Sequence, residues 1–277
     1  MKRLLQIEFI KLWNSRSSRI LILAYFILLT SIALVAAIKF DIGPIQFHLA
    51  EQGIFNFPYI WHFNSFIIAF FKLFLAIVIV SMMANEYSNK TIKQNLIDGL
   101  SKKEFILSKF LTVLTFAVVS TLFVFVVSLI LGLIYSDYNE LPIILSDLEF
   151  LLAYFVKLVG FFSFCLFLGM LVKRSAFALG FLILWQVFEM ISWGFLRWKF
   201  FDEPTTETIM GFFPLNAMFN LIEEPFSRLN AVQSVAKQVG ETLVLDYQVK
   251  GYEILIVLAW TLIFIYGSYA LLKKRDL

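Results

Sequence analysis

Cysteine is almost missing from this chain. Cys165 is the only one among 277 residues and it sits inside an apolar run, which excludes an intramolecular disulfide. Histidine is nearly as scarce, with only His48 and His62 and no Cys/His cluster, so the ligand spacing of a metal site is absent. None of the 12 glycines is followed by lysine. That removes the GxxxxGK[ST] loop which cradles nucleotide phosphates, so the chain carries no ATPase motif of its own. Charge is thin as well: 16% of residues are charged, against about 25% in an ordinary soluble domain. A soluble globular enzyme does not fit these shortages.

What the chain does contain is apolar sequence in long blocks. Hydrophobic residues make up 60%, Phe alone occurs 33 times, and the mean hydropathy is +0.84. Crossing a hydrocarbon core about 30 Å thick takes about 20 mostly apolar helical residues. Six runs reach that length: 20–38, 65–84, 109–135, 150–171, 176–195 and 253–272. They are continuous rather than alternating, which argues against a barrel, and only helices then satisfy their backbone groups in lipid. The first run is too long and starts too late for a cleaved signal peptide, and no small-x-small site follows it. The expected fold class is an all-α polytopic membrane protein with six transmembrane helices, in a single domain over 1–277.

Lysine and arginine set the orientation. With the N-terminus inside, 15 basic residues fall on one face and 6 on the other, five of those in one long loop where charge bias counts less. Acids run the opposite way, 5 against 14. Both termini are predicted to be cytosolic. Residues 1–19, MKRLLQIEFIKLWNSRSSR, carry Leu5, Phe9, Leu12 and Trp13 at helical spacing with basic neighbours, which predicts an interfacial helix on the inner leaflet. The outer loop 39–64 has the Pro, Trp and Tyr of an interfacial turn and aromatic belt. The outer loop 196–252 is too long for a plain connector. Inside it MGFFPLNAMFNLI is apolar but only 13 residues long, the length of a re-entrant or interfacial segment.

Between the second and third runs lies the polar stretch NEYSNKTIKQNLIDGLSKKEF. Ser101-Lys-Lys-Glu104 is a capping box, so the third long helix is predicted to begin at Lys102 and continue unbroken into its span. Gly99 is a helix stop. A short helix fits over 91–97, with Ile92, Leu96 and then Leu100 facing one way and Lys93 and Gln94 another. Two inward-projecting helices joined by this crosswise segment make a stiff knob below the membrane. The alternative is an ordinary solvated loop.

This stretch resembles the signature region of ABC-2 type transporter permeases. The matching residues are the acidic-aromatic pair Glu86–Tyr87, the element Asn89-Lys-Thr91, and the helix start Leu100-Ser-Lys-Lys-Glu-Phe105 with Lys109 after it. The six spans, internal termini and large outer loop between spans five and six agree with that family. The resemblance implies that the cytosolic loop 85–108 holds the coupling helix, with Glu86, Tyr87, Thr91, Ile92, Lys93 and Leu96 coupling it to a separate ABC ATPase subunit. It further implies a second permease subunit, identical or not, in a bacterial cytoplasmic membrane. ATP would be bound by the partner, so the chain itself is expected to hold no cofactor and to be a transport subunit rather than an enzyme. Membrane lipids are expected partners and nucleic acid is not. Apolar spans with few polar groups favour export of a lipid-like or amphipathic cargo. The competing reading from another class is a non-transport membrane scaffold or signalling subunit coupled to an ATPase in an envelope machine.

Two further constellations need weighing. Glu223-Glu224-Pro-Phe-Ser-Arg228 matches the EExxxR pattern of a family of intramembrane proteases, but it falls in an outer loop and no histidine follows His62. A solvated acidic surface is the expected reading. Lys72, Lys157 and Glu189 lie inside spans two, four and five, each about six or seven residues from the outer end, or about 10 Å deep at 1.5 Å per residue. A common depth allows a Lys–Glu pair in the bundle. Lysines snorkelling to the headgroups are the alternative.

Overall fold

The computed structural model describes residues 2–36, 39–42, 45–48, 53–229, 232–233, 238 and 247–275, with side chains omitted over 32–52. Two helices open the chain, α1 (Lys2–Asn14) and α2 (Arg16–Ala36). A short hairpin of β1 (Lys39–Ile42) and β2 (Ile45–His48) follows, antiparallel with Lys39 opposite His48. The remainder is helical: α3 (Tyr59–Ala69), α4 (Lys72–Ser88), α5 (Thr91–Ile97), α6 (Lys102–Tyr135), α7 (Leu141–Ile144), α8 (Glu149–Val172), α9 (Ser175–Lys199), α10 (Glu203–Met210), α11 (Pro214–Asn220), a 3₁₀ turn at Phe226–Arg228, and α12 (Gly251–Lys274). Except for the hairpin, the described chain is therefore all-α, as its continuous apolar runs require.

Six spans are expected; among the described residues four segments are long and apolar enough to cross a membrane: α6, the α7–α8 segment Leu141–Val172, α9 and α12. A fifth forms if α3 and α4 act as one bent span. The run 65–84 is expected to be one straight helix, and here the structure corrects the sequence reading: α3 and α4 meet at 45°. No Pro or Gly stands at the bend. The hydrogen bonds instead shorten to the i→i−3 type, from Phe70 N–H to Ile67 O, Phe71 to Ile68 and Phe74 to Phe71, which tightens the turn and redirects the axis. Helix α2, 21 residues long, runs over 20–36 of the first expected span, whose last two residues lie outside the described ones.

Helix α8 is the hub. It is buried nearly all round, from Phe150 to Met170, and packs against α3, α4, α6, α9, α11 and α12. A helix apolar on every face belongs in such a position. Two glycines let neighbours approach: a Cβ on Gly160 would stand 2.7 Å from Val257 of α12, and one on Gly169 would stand 2.9 Å from the Met83 Cβ of α4. Small residues at helix contacts are how lipid-embedded helices gain van der Waals packing. Helix α9 is the opposite case, with only Ala178, Leu182 and Glu189 buried.

Basic residues tie helix ends together where α6 starts and α8 and α12 end. There Arg275 donates to Met170 O at 2.6 Å and Leu171 O at 3.1 Å, placing a cation on the free carbonyls at the C-terminus of α8. Lys102 donates to Lys273 O and Arg275 O, which fixes the start of α6 to the end of α12. At the other end, residues 210–222 do not form a separate surface. Leu215, Ala217, Met218, Leu221 and Ile222 are buried, and α11 packs on α8, α9 and α12. The 13-residue apolar segment thus folds back into the bundle.

Candidate functional site

The polar stretch between α4 and α6 adopts the local structure its signals require. The α5 bounds, Thr91–Ile97, coincide with the expected short helix. Gly99 lies at φ 96°, and the Gly99 and Leu100 N–H groups donate to Leu96 O and Asn95 O. Those two bonds form the Schellman closure, in which glycine takes the left-handed position. Both halves of the capping box are made at Ser101 and Glu104, and the Ser101 hydrogen bonds hold the Glu104 carboxyl below its usual range. Helix α6 then runs 34 residues without a break.

A buried ion cluster braces this knob. Lys109, fully buried on α6, donates to Glu8 Oε2 and Glu86 Oε1, each at 2.6 Å. Lys11 reaches Glu86 at 2.9 Å and Glu8 at 3.5 Å. Thr91, the first residue of α5, donates its hydroxyl to Glu86 Oε2 at 2.5 Å. Two cations and two anions therefore join α1, α4, α5 and α6 with balanced charge. Burial alone would raise the Glu86 carboxyl, but Lys109, Thr91 and Lys11 outweigh it and hold it down to about 2. Burial lowers Lys11, yet Glu8 and Glu86 more than compensate and raise it.

The predicted coupling residues thus divide into two groups. Glu86 and Ile92 are buried and act as anchors. Tyr87 is also an anchor: Lys173 and Arg275 stand 5.6 Å and 5.5 Å from its ring centroid, and its hydroxyl accepts from Arg275 at 2.8 Å. Thr91 and Leu96 are half-buried, whereas Lys93 and Gln94 face outward. Ile97, 76% exposed, joins them and was not singled out from the sequence. Its position one residue off the Ile92–Leu96 stripe was the available signal. Glu8 was also missed, because one acid in a basic apolar helix carries no local pattern. In α1, Leu12 packs inward with Glu8 and Phe9 meets Phe116 at 5.7 Å. Trp13 is 53% exposed and so leaves the expected stripe.

Lys72, Lys157 and Glu189 converge on one cavity of about 570 Å³ between α4, α8, α9 and α11. The three residues expected at one depth do line one cavity, but no Lys–Glu ion pair forms among them. Glu189 instead accepts from Trp185 Nε1 at 2.7 Å and from the backbone N–H groups of Leu215 and Asn216 at 3.0 and 2.8 Å. These are free donors at the start of α11, so the carboxylate serves as its cap. Lys157, 2% exposed, donates to Phe219 O at 3.2 Å. Lys72 lies 4.5 Å from the Phe161 ring centroid. Among the described residues, the ion pairs within 4 Å include neither lysine.

The EExxxR segment gains the histidine that its position in the sequence hid. His62 Nε2 bonds Glu223 O at 2.9 Å, and Arg228 donates to His62 Nδ1 at 3.2 Å. The carboxylates are nevertheless engaged elsewhere. Glu224 accepts from the Phe226 and Ser227 N–H groups and from the Ser227 hydroxyl, and Glu223 pairs with Lys250 at 3.7 Å. No group of three potential metal ligands occurs among the described residues. His62 is stacked on Phe150 at 4.1 Å, and with Glu223 O and Arg228 on its two ring nitrogens it has none left to share with a water-activating carboxylate.

Long apolar helices around a central buried one define a multi-pass membrane protein. More particularly, the chain belongs to the family described as "Protein of unknown function (DUF2705)", whose profile matches residues 21–277. A comparison with curated proteins gives no match.

Proposed function

We propose that this chain is the membrane-spanning permease subunit of an ABC-2 type transporter, driven by ATP that a separate cytosolic subunit hydrolyses. In this reading α2, α3–α4, α6, α8, α9 and α12 are six spans, and the basic end with both termini faces the cytosol. A second permease copy or homologue completes the pore, and a bacterial cytoplasmic membrane is the setting. The observation that carries the proposal is the knob. A seven-residue helix projects between α4 and α6, is stopped by a glycine and restarted by a capping box, and is fixed from behind by the Glu8–Lys11–Glu86–Lys109 cluster. Its outward face, Lys93, Gln94 and Ile97, combines an apolar contact with a charge. A rigid element of this kind can transmit the closure of an ATPase to the spans as a rigid-body tilt. The cargo is lipid-like or amphipathic.

The test uses the ATPase that co-purifies with the tagged chain. Proline at Leu96 costs about 3 kcal/mol in a helix interior, enough to melt so short a helix. Leu96→Pro and Lys93→Glu are expected to abolish transport-linked ATP hydrolysis while membrane insertion persists. Full coupling in Leu96→Pro would refute the assignment.

A further inference from the structure

The cavity at Lys72 and Lys157 has an unusual charge balance. Its walls are mainly aromatic and aliphatic, with Phe66, Phe70 and Trp193 among them. A volume of about 570 Å³ falls within the roughly 300–1,000 Å³ typical of small-molecule sites. Among the described residues Glu189 is the one acid on its wall, and both of its oxygens are committed to Trp185, Leu215 and Asn216. Among the described residues, two lysines therefore border an apolar space without a carboxylate within ion-pair distance. An ammonium has three donors, yet Lys157 has one hydrogen bond, to Phe219 O, and Lys72 has only the face of Phe161. Cations at membrane depth are costly unless something neutralises them.

We propose that this cavity binds an anionic amphiphile of the phospholipid type. Its phosphate lies between Lys72 and Lys157, and its acyl chain runs along the Phe66–Phe70 wall. Both features of the ligand are needed. The lysines supply charge-assisted hydrogen bonds to phosphate oxygens, and the surrounding rings supply the apolar contact that a free inorganic ion could not use. Glu189 contributes by capping α11, which keeps its own charge out of the site. Binding of this kind requires no ATPase, so it stands or fails separately from the transporter reading.

The experiment is native mass spectrometry of the full chain, purified in a neutral detergent without its partner. Phosphatidic acid, phosphatidylcholine with the same acyl chains, and inorganic phosphate are the three probes. One phosphatidic acid per chain is expected to be retained, at least tenfold more tightly than phosphatidylcholine. Lys157→Met and Lys72→Leu should each weaken it about tenfold. Lys157→Arg, which keeps the charge, should retain it and controls for folding, as does Lys173→Met at the basic end. Equal retention of phosphatidylcholine would overturn the charge argument. Equal occupancy by inorganic phosphate would overturn the amphiphile. Undiminished binding in both Lys72→Leu and Lys157→Met would place the lipid elsewhere.

Discussion

Removing the Lys109 ammonium is the sharpest test of the brace behind the knob. Lys109 is fully buried and holds two carboxylates at 2.6 Å, Glu8 and Glu86. Lys109→Met leaves those acids facing each other, with only the half-exposed Lys11 to offset them. Deleting one partner of a buried ionic group costs about 3–5 kcal/mol, and two uncompensated acids put this site at the upper part of that range. Lys11→Met removes a weaker partner, since Lys11 has 38% of its side chain exposed and sits 2.9 Å and 3.5 Å from its acids. Solvent screening limits that loss to about 1 kcal/mol. Removing charge from both sides, as in Lys109→Met with Glu8→Leu, should recover part of the deficit, because an apolar replacement of a whole buried pair can be nearly neutral. Thermal unfolding in one detergent, read by tryptophan fluorescence, gives the three values and their coupling. If Lys109→Met were no worse than Lys11→Met, or if the double variant were simply additive, the cluster would not be the brace.

Three further expectations follow from the same structure. Gly169→Leu would drive a side chain into Met83 and the Val80 carbonyl, forcing α8 from α4 at a cost of at least about 1–3 kcal/mol. Gly180→Leu, with no atom within 4 Å of its Cβ, should be tolerated, and detergent-solubilised yields would distinguish the two. With native Cys165 replaced by Ala, cysteines at the exposed Glu140 and Thr205 should react with an impermeant thiol reagent on intact cells, and one at Ser175 should not; labelling at Ser175 would reverse the orientation. The docking of α1 should also depend on pH. Because the folded Glu86 pKa is depressed to about 2, its contribution is complete above about pH 4.5 and is lost as pH falls toward 2. The raised Lys11 works the other way, contributing fully below its unfolded value of 10.5 and losing that as pH rises from there through its folded value. Rate-corrected amide exchange in α1 should thus be flat from about pH 5 to 10 and rise in acid; a rise near neutrality would contradict the pairing.

Local chemistry was legible in the sequence wherever its cause is local. Long apolar runs marked the segments that became four membrane-length helices and one bent pair, since unpaired backbone groups in lipid leave few alternatives. Gly99 and the Ser101–Glu104 box set the bounds of α5 and the start of α6, because a stop and a cap act within one turn. Other features needed the tertiary fold. The bend between α3 and α4 has no Gly or Pro to announce it. Glu8 and Lys109 stand 101 residues apart, and only the docking of α1 on α6 makes them partners. Glu189 lines the same cavity as two lysines, yet the return of α11 brought free backbone N–H groups closer to it than either ammonium. Residue types and spacing determine periodicity and capping, but a charged side chain inside a bundle takes whichever donor the packing of distant helices sets beside it.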